Sequence, residues 1–333
     1  MSKILITGGT GFVGYHLAKK LAEGKNEIVL VDNFFRSELD EDMKQLLERP
    51  NVKLIQADLG NRDAWDSFES GYDYVYHLAG INGTRLFYEI PFEVLSVGIT
   101  ITFYAIKWFR TTNNNPNAKI LYTSSNEAYA GALEAFGQLP LPTPEDVPLV
   151  ISDPYNPRWS YAGQKLIGEL LFIHGSKAHN FRMSIVRPHN FYGPREGYEH
   201  VIPEIIERIK KRVDPFPIYG ADDTRSFCYI DDAVEAIIAV MESEKTDGGT
   251  YHIGTTEETK IKHLIEHLFK IMKWEPSKLD IKNSPKGSVK RRLPHVLKIK
   301  EHTGWEAKIT LEEGLKKMIE WYETNPRKKR KNG

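Results

Sequence analysis

The chain has 333 residues, 41% of them hydrophobic, enough to bury one large core and a second, smaller one. Forty-five basic residues balance forty-five acidic ones, which argues against a nucleic-acid or other polyanion surface as the main business of the protein. A lone cysteine, Cys228, excludes an internal disulfide framework and suits a reducing cytoplasm, and no apolar run reads as long enough to span a membrane.

Lys3 to Thr7 is a short, branched apolar run, consistent with a buried parallel strand and too short for the core of a signal peptide. Gly8, Gly11 and Gly14 follow at once. They permit a tight turn, let backbone N–H groups approach a pyrophosphate, and let a helix from about Phe12 to Glu23 pack on the strand. That helix is amphipathic (Val13, Leu17, Leu21) and is followed by a second strand, Glu27 to Val31, that ends in Asp32. An acid there accepts hydrogen bonds from adenosine ribose hydroxyls and repels a 2′-phosphate, which favours NAD; Arg36 keeps NADP as the second reading. Val52 to Gln56 leads into Asp58-Leu59, and Tyr74 to His77 into Leu78-Ala79-Gly80, the strand ends where a doubly wound sheet meets its ligand. The cofactor set is therefore Gly8, Gly11, Phe12, Val13, Asp32, Asn33, Asp58, Leu59, Leu78, Ala79 and Gly80, joined further on by Tyr161, Lys165 and Pro188.

Val97 to Trp108 is rich in β-branched residues, so local propensity says strand. Its place between two parallel strands demands a crossover, and a buried helix is predicted. Ala118 to Thr123 and Arg182 to Val186 read as later strands of the same sheet. Between them stands Tyr161-Ala-Gly-Gln-Lys165. Four residues apart on a helix, phenol and ammonium point the same way, so Lys165 should lower the Tyr161 pKa and hold a nicotinamide ribose. A tyrosine so poised takes a proton from an alcohol while hydride leaves the same carbon.

Beyond Arg187-Pro188 the texture changes to loop signals (His189 to Gly197), a helix from Val201 to Arg212 and a Pro-rich stretch, Pro215-Phe216-Pro217. A helix from Asp231 to Met241 and a strand from Gly249 to Ile253 return to the large sheet, and helices near 260–273 and 310–323 close the chain. The fold class is α/β: a Rossmann-type doubly wound parallel sheet with a smaller mixed α/β C-terminal substrate domain. Residues 1–187, completed by about 228–254, form the NAD-binding part; 188–227 and 255–326 form the substrate part; 327–333 is a solvated basic tail. His189, His200 and His295 lack metal-ligand spacing, and no metal site is expected.

The glycine loop, Asp32, Thr123-Ser124-Ser125 and the Tyr161/Lys165 pair, with Arg187-Pro188-His189-Asn190-Phe191-Tyr192-Gly193-Pro194-Arg195, Thr224-Arg225-Ser226-Phe227 and Lys290-Arg291-Arg292-Leu293-Pro294, resemble the extended short-chain dehydrogenase/reductase family. Its members include nucleotide-sugar epimerases, dehydratases and decarboxylases, and the likeness covers nearly the whole chain. The resemblance implies a nucleotide-diphosphate sugar as substrate, with Asn190, Arg195, Val201, Tyr219, Arg225 and Arg292 binding it. It also implies a homodimer paired through the crossover helix and the Tyr161 helix. Tyr161 would deprotonate a sugar hydroxyl at C4 as hydride passes to NAD⁺, with Ser125 hydrogen-bonded to the same oxygen. Ser125, Glu127, Tyr161 and Lys165 form the implied catalytic set. A carboxylate at Glu127 leans toward 4,6-dehydration or uronate decarboxylation, with 4-epimerisation or 4-oxidation as alternatives. Asn126 stands where many dehydratases carry an acid and cannot supply a proton. The run Pro157-Arg158-Trp159-Ser160-Tyr161 is similar to one branch of the decarboxylases. Gly98 replaces the asparagine usual on the crossover helix, and His295 a common aspartate. A non-catalytic NAD-binding regulator on the same fold is the reading from another class.

Overall fold

Short branched runs separated by helices leave each strand apolar on both faces, and such strands are stable only between two helical layers. The computed structural model describes residues 1–284 and 289–325, so the expected basic tail lies outside the described residues. In chain order the first elements are β1 (Lys3–Thr7), α1 (Phe12–Leu21), β2 (Glu27–Asp32), α2 (Glu41–Leu47), β3 (Val52–Gln56), α3 (Arg62–Asp66) and β4 (Tyr74–His77). Next come α4 (Thr84–Glu89), α5 (Pro91–Thr111), β5 (Lys119–Thr123), α6 (Ala130–Phe136), α7 (Trp159–His179) and β6 (Arg182–Pro188). The second half holds β7 (Phe191–Tyr192), α8 (Val201–Lys210), β8 (Phe216–Tyr219), β9 (Thr224–Arg225), β10 (Cys228–Tyr229), α9 (Ile230–Glu242) and β11 (Thr250–Ile253). It closes with β12 (Thr259–Lys260), α10 (Ile261–Met272), β13 (Leu279–Lys282), α11 (Leu297–Thr303) and α12 (Leu311–Thr324).

Seven strands form one sheet in the order β11-β6-β5-β4-β1-β2-β3, with every neighbouring pair parallel. The order reverses between β1 and β4, where Thr7 pairs with His77, so the strand ends at Gly8 and Leu78 open the crevice in which such sheets bind ligands. One core cluster lies on the α1/α9 face (Ile4, Ile6, Leu17, Leu30, Ile237), the other on the α5/α7 face (Leu5, Val75, Ile101, Phe172, Ile185).

The β-branched segment is helical, as the crossover requires. Val94, Gly98, Ile101, Thr102, Ala105 and Phe109 line its buried face, and α5 packs chiefly on α7. One sequence reading needs correction here. By length and composition α5 is apolar enough to cross a membrane, but its buried face and its packing against α7 make it a core helix. A second concerns Pro215-Phe216-Pro217, which continues into β8 and pairs in parallel with β13. Pro217 is tolerated because that two-stranded sheet leaves one side of β8 without a ladder partner.

Candidate active site

The glycine turn is built for close approach. Gly8 sits at φ +69, and a Cβ there would lie 2.9 Å from the Ala79 nitrogen; one on Gly14 would overlap the Gly8 carbonyl oxygen. The turn therefore presses against the end of β4 while α1 presses against the turn. Gly11 caps α1 without a side chain, so the first-turn N–H groups, those of Phe12 and Val13 among them, are left for an anion. Asp32 ends β2 with Oδ2 accepting from Thr10 N at 3.2 Å and Oδ1 from Phe34 N at 2.9 Å, which fixes the carboxylate at the crevice. Asn33 and Asp58 shape the neighbouring loops by accepting from Phe35 N (3.0 Å) and Gly60 N (2.9 Å). Leu59 is buried with its carbonyl held by the Trp65 indole at 2.9 Å. Leu78 and Ala79 are tied to Thr7 of β1, and Pro188 ends β6 opposite Ile253. Arg36 lies against Gly83 and pairs with Glu199 at 3.7 Å. A cradle that any Cβ would fill, with an acid at the β2 end, fits the pyrophosphate and the ribose diol of NAD.

Ser125, Tyr161 and Lys165 meet between the end of β5 and the first two turns of α7. Ser125 hydrogen-bonds the Tyr161 hydroxyl, and its Oγ also accepts from Glu127 N at 3.2 Å. Phe87 of α4 stacks on the Tyr161 ring at 4.6 Å between centroids. Lys165 Nζ donates to the Thr123 carbonyl at 2.7 Å and lies 5.6 Å from the Tyr161 ring centroid. The sequence expectation that Lys165 lowers the Tyr161 pKa is not met. Burial pushes the phenol above its usual value, the Ser125 hydrogen bond pulls it back in part, and the Lys165 ammonium is turned to Thr123. Burial also lowers Lys165 to about 8, against the pull of Glu169.

Glu127 lies in the 3-10 turn after Ser125, in the middle of a cluster of arginines. Arg292 Nη2 meets Oε1 at 2.6 Å and Arg158 Nη2 meets Oε2 at 3.2 Å, while Arg292 Nη1 also donates to Asn126 Oδ1 at 3.2 Å. Burial pushes the Glu127 carboxyl up, but the Arg292 and Arg158 guanidiniums together overcome it and hold the group below the usual carboxylate range. Arg225 lies near enough to the same cluster that burial, then Arg292, lower it to about 10.

The structure places the other expected substrate residues differently. Asn190, at φ +41, donates through Nδ2 to the Ser226 carbonyl at 2.9 Å, which ties the β6–β7 turn to the segment beside Arg225. Val201 opens α8 and Tyr219 ends β8, both half-exposed, with Lys282 Nζ 5.6 Å from the Tyr219 ring centroid. Arg195 binds Asp40 through Nε at 2.8 Å and stacks on Tyr15 at 4.0 Å, which ties it to the start of α2 and to α1. Arg158, Asn126 and Gln164 had no role assigned from sequence. For Arg158 the available signal was its place one turn before Tyr161, which the fold turns toward Glu127. Among the described residues no group of three or more His, Cys, Asp or Glu is arranged to hold a metal ion.

Residues 4–254 match the NAD dependent epimerase/dehydratase family. The chain is 30% identical over 331 residues to UDP-N-acetyl-alpha-D-glucosaminuronate decarboxylase of Bacillus cytotoxicus, covering 96% of this chain and 97% of that one. It is 27% identical over 336 residues to the human dTDP-D-glucose 4,6-dehydratase, covering 97% and 90%. Among solved structures it is similar to UDP-glucose 4-epimerase from Thermotoga maritima, determined with UDP-glucose, at TM-score 0.84 and 26% identity over 98% of this chain and 100% of that one.

Proposed function

The chain belongs to the NAD dependent epimerase/dehydratase family, and on that premise we propose that it oxidises C4 of a nucleotide-linked uronic acid and then releases the C6 carboxylate as CO₂. The observation that carries this reading is Glu127 pinned between Arg158 and Arg292, with Asn126 beside it. Dehydration would need a carboxylate free to take the C5 proton and an acid for the C6 hydroxyl. Glu127 is tied by two guanidiniums and held at low basicity, and Asn126 carries no acidic proton. Decarboxylation needs neither. It needs a place for a substrate carboxylate, and three arginines against two carboxylates, Glu127 and the Asp223 that pairs with Arg225 at 3.9 Å, leave one positive charge in excess for it. Glu127 keeps Arg158 and Arg292 aligned until that carboxylate arrives.

Oxidised NAD, when bound, accepts the C4 hydride. Tyr161 takes the C4 hydroxyl proton, and Ser125, already hydrogen-bonded to Tyr161, holds the same oxygen. With C4 a ketone, the C5–C6 bond breaks, CO₂ leaves, and the electron pair passes into a C4–C5 enolate whose oxygen Ser125 and Tyr161 hold until a proton reaches C5. The C4 carbon then takes the hydride back and its oxygen the proton held by Tyr161, so the net change is the loss of CO₂. Residues 1–187 with about 228–254 serve the cofactor, and 188–227 with 255–326 the nucleotide and sugar. Cytoplasmic residence fits a sole cysteine that is buried and unpaired. A homodimer is proposed through the outer faces of α5 and α7.

Mass spectrometry of products from NAD-loaded protein given UDP-linked uronates and dTDP- or GDP-hexoses tests the reading. A product lighter by one CO₂ from a uronate is expected. A product lighter by one water would establish dehydration, an isobaric product epimerisation and a product lighter by two hydrogens oxidation, each overturning it; no turnover at all would favour the regulator.

A further inference from the structure

A glycine in the middle of a long helix weakens it, because glycine gains backbone freedom on unfolding and contributes no packing. Gly98 is such a residue, buried in α5, and its neighbour across the α5–α7 contact accounts for it. The Gln164 carboxamide fills the space that a side chain at 98 would need: a Cβ there would overlap Oε1 and lie 3.2 Å from Gln164 Cβ. Gln164 is only 2% exposed, and its Nε2 donates to the Ile81 carbonyl at 3.3 Å. Ile81 follows Leu78-Ala79-Gly80, the strand-end loop that borders Lys165; a Cβ at Gly80 would lie 3.8 Å from Lys165 Nζ.

From Gly98 a second line of hydrogen bonds reaches the same loop. The Gly98 carbonyl accepts from Thr102 Oγ1 at 2.7 Å, Thr102 Oγ1 meets His77 Nε2 at 3.4 Å, and His77 Nδ1 meets Thr7 Oγ1 at 2.9 Å. Thr7 Oγ1 in turn accepts from Ala79 N at 3.3 Å. Thr7, His77, Thr102 and Gln164 are all buried, so this line is shielded from competition with water. The turn of α7 that carries the site pair is thus tied through Gln164 to the loop after β4, and α5, on which it packs, is tied to the ends of both β4 and β1.

We propose that Gln164 is a positioning residue of the cofactor seat: its carboxamide, admitted by the absent side chain of Gly98, fixes the loop from Leu78 to Ile81 against the helix turn bearing Tyr161 and Lys165. The proposal rests on NAD use and not on the fate of the sugar, so it stands or falls separately from the decarboxylase reading. It is tested with Gln164→Ala and the double variant Gly98→Ala/Gln164→Ala, read by calorimetric NAD⁺ titration and thermal unfolding of the purified protein. Gln164→Ala should bind NAD⁺ about tenfold more weakly, the scale of one lost buried hydrogen bond. In the double variant the added methyl refills space and favours the helix, so the unfolding temperature should rise above that of Gln164→Ala while the NAD⁺ affinity stays low. Recovery of NAD⁺ affinity together with stability would reduce Gln164 to a space filler, and a Gln164→Ala variant with wild-type NAD⁺ affinity would overturn the proposal outright.

Discussion

At the scale of single residues, burial is the largest influence on Tyr161 and Lys165. The Tyr161 phenol is kept protonated by its surroundings, so its place against Ser125 matters more than a ready-made phenolate. Tyr161→Phe keeps the stack on Phe87 and removes only the proton carrier, so turnover should fall by about 10²- to 10⁴-fold with the fold intact, measured by product formation and circular dichroism. For Lys165, burial lowers the folded-state pKa from 10.5 to about 8. Below about pH 8 both folded and unfolded chains carry the charge, and the full burial cost is present. Between 8 and 10.5 the unfolded chain binds more protons, so this group makes stability rise with pH until the cost has gone. The pH-dependent part of the stability difference between the cofactor-free protein and Lys165→Met should therefore be roughly 3 kcal/mol across that window, measured by denaturation at a series of pH values. Arg292→Ala should leave Glu127 facing Arg158 alone. Burial would then raise the carboxyl, and turnover of a uronate should drop about 100-fold or more, on the scale of losing a charged hydrogen-bond partner, while NAD⁺ binding is kept. The sequence displayed the Tyr161/Lys165 pair because four residues of helix fix its geometry. It did not display the Glu127 cluster, since Arg158 and Arg292 approach from the residue before α7 and from the segment before α11, and no local spacing encodes that meeting. Nor did it display the contacts of Arg195 with Asp40 and Tyr15, which lie far from it in the chain.

At the scale of elements, β1 to β4 were legible because each is an apolar run closed by small or polar residues, and α5 was legible only through topology, which overrode a strand-like composition. The strands β8 and β13 were not: both are short and paired only with each other, and β8 carries Pro217. Element ends follow capping chemistry where it exists. Thr310 caps α12 with a reciprocal pair: its Oγ1 accepts from Glu313 N at 3.3 Å, and Glu313 Oε2 accepts from Thr310 N at 3.1 Å. The helix buries Leu315, Met318 and Tyr322 in the core shared with α1 and α9, so fraying at its start is felt beyond the helix. Thr310→Ala should cost about 1 kcal/mol, and Thr310→Ser much less. Urea denaturation should show the midpoint falling for alanine with the slope unchanged.

At the scale of the whole molecule, the balanced charge gives the proposed homodimer no net long-range field to form by, so the proposal rests on apolar surface. That surface is on α5 and α7, where Phe92, Phe103 and Leu170 are exposed, and where Phe103, Ile106, Ile167, Leu170 and Leu171 line a trough between the two helices. Their opposite faces are committed to the α5–α7 contact and to the sheet, so the outer faces are the ones that the proposed homodimer would bury. A two-fold axis across them would place two helices from each copy in one four-helix layer, an isologous contact that closes on itself. Leu170 is about two and a half turns along α7 from Tyr161, on the opposite side of the helix, so a charge there disturbs assembly before chemistry. Wild-type protein should sediment as a dimer at micromolar concentration and Leu170→Glu as a monomer. Phe136→Glu, at a more exposed position but on α6, should remain dimeric. Since α7 carries Tyr161, Lys165 and Gln164, the Leu170→Glu monomer should also unfold at a lower temperature and regain part of that loss with NAD⁺, because a ligand that binds only the folded chain stabilises it by mass action. A wild-type monomer, or a Leu170→Glu protein that still sediments as a dimer, would move the contact off these helices.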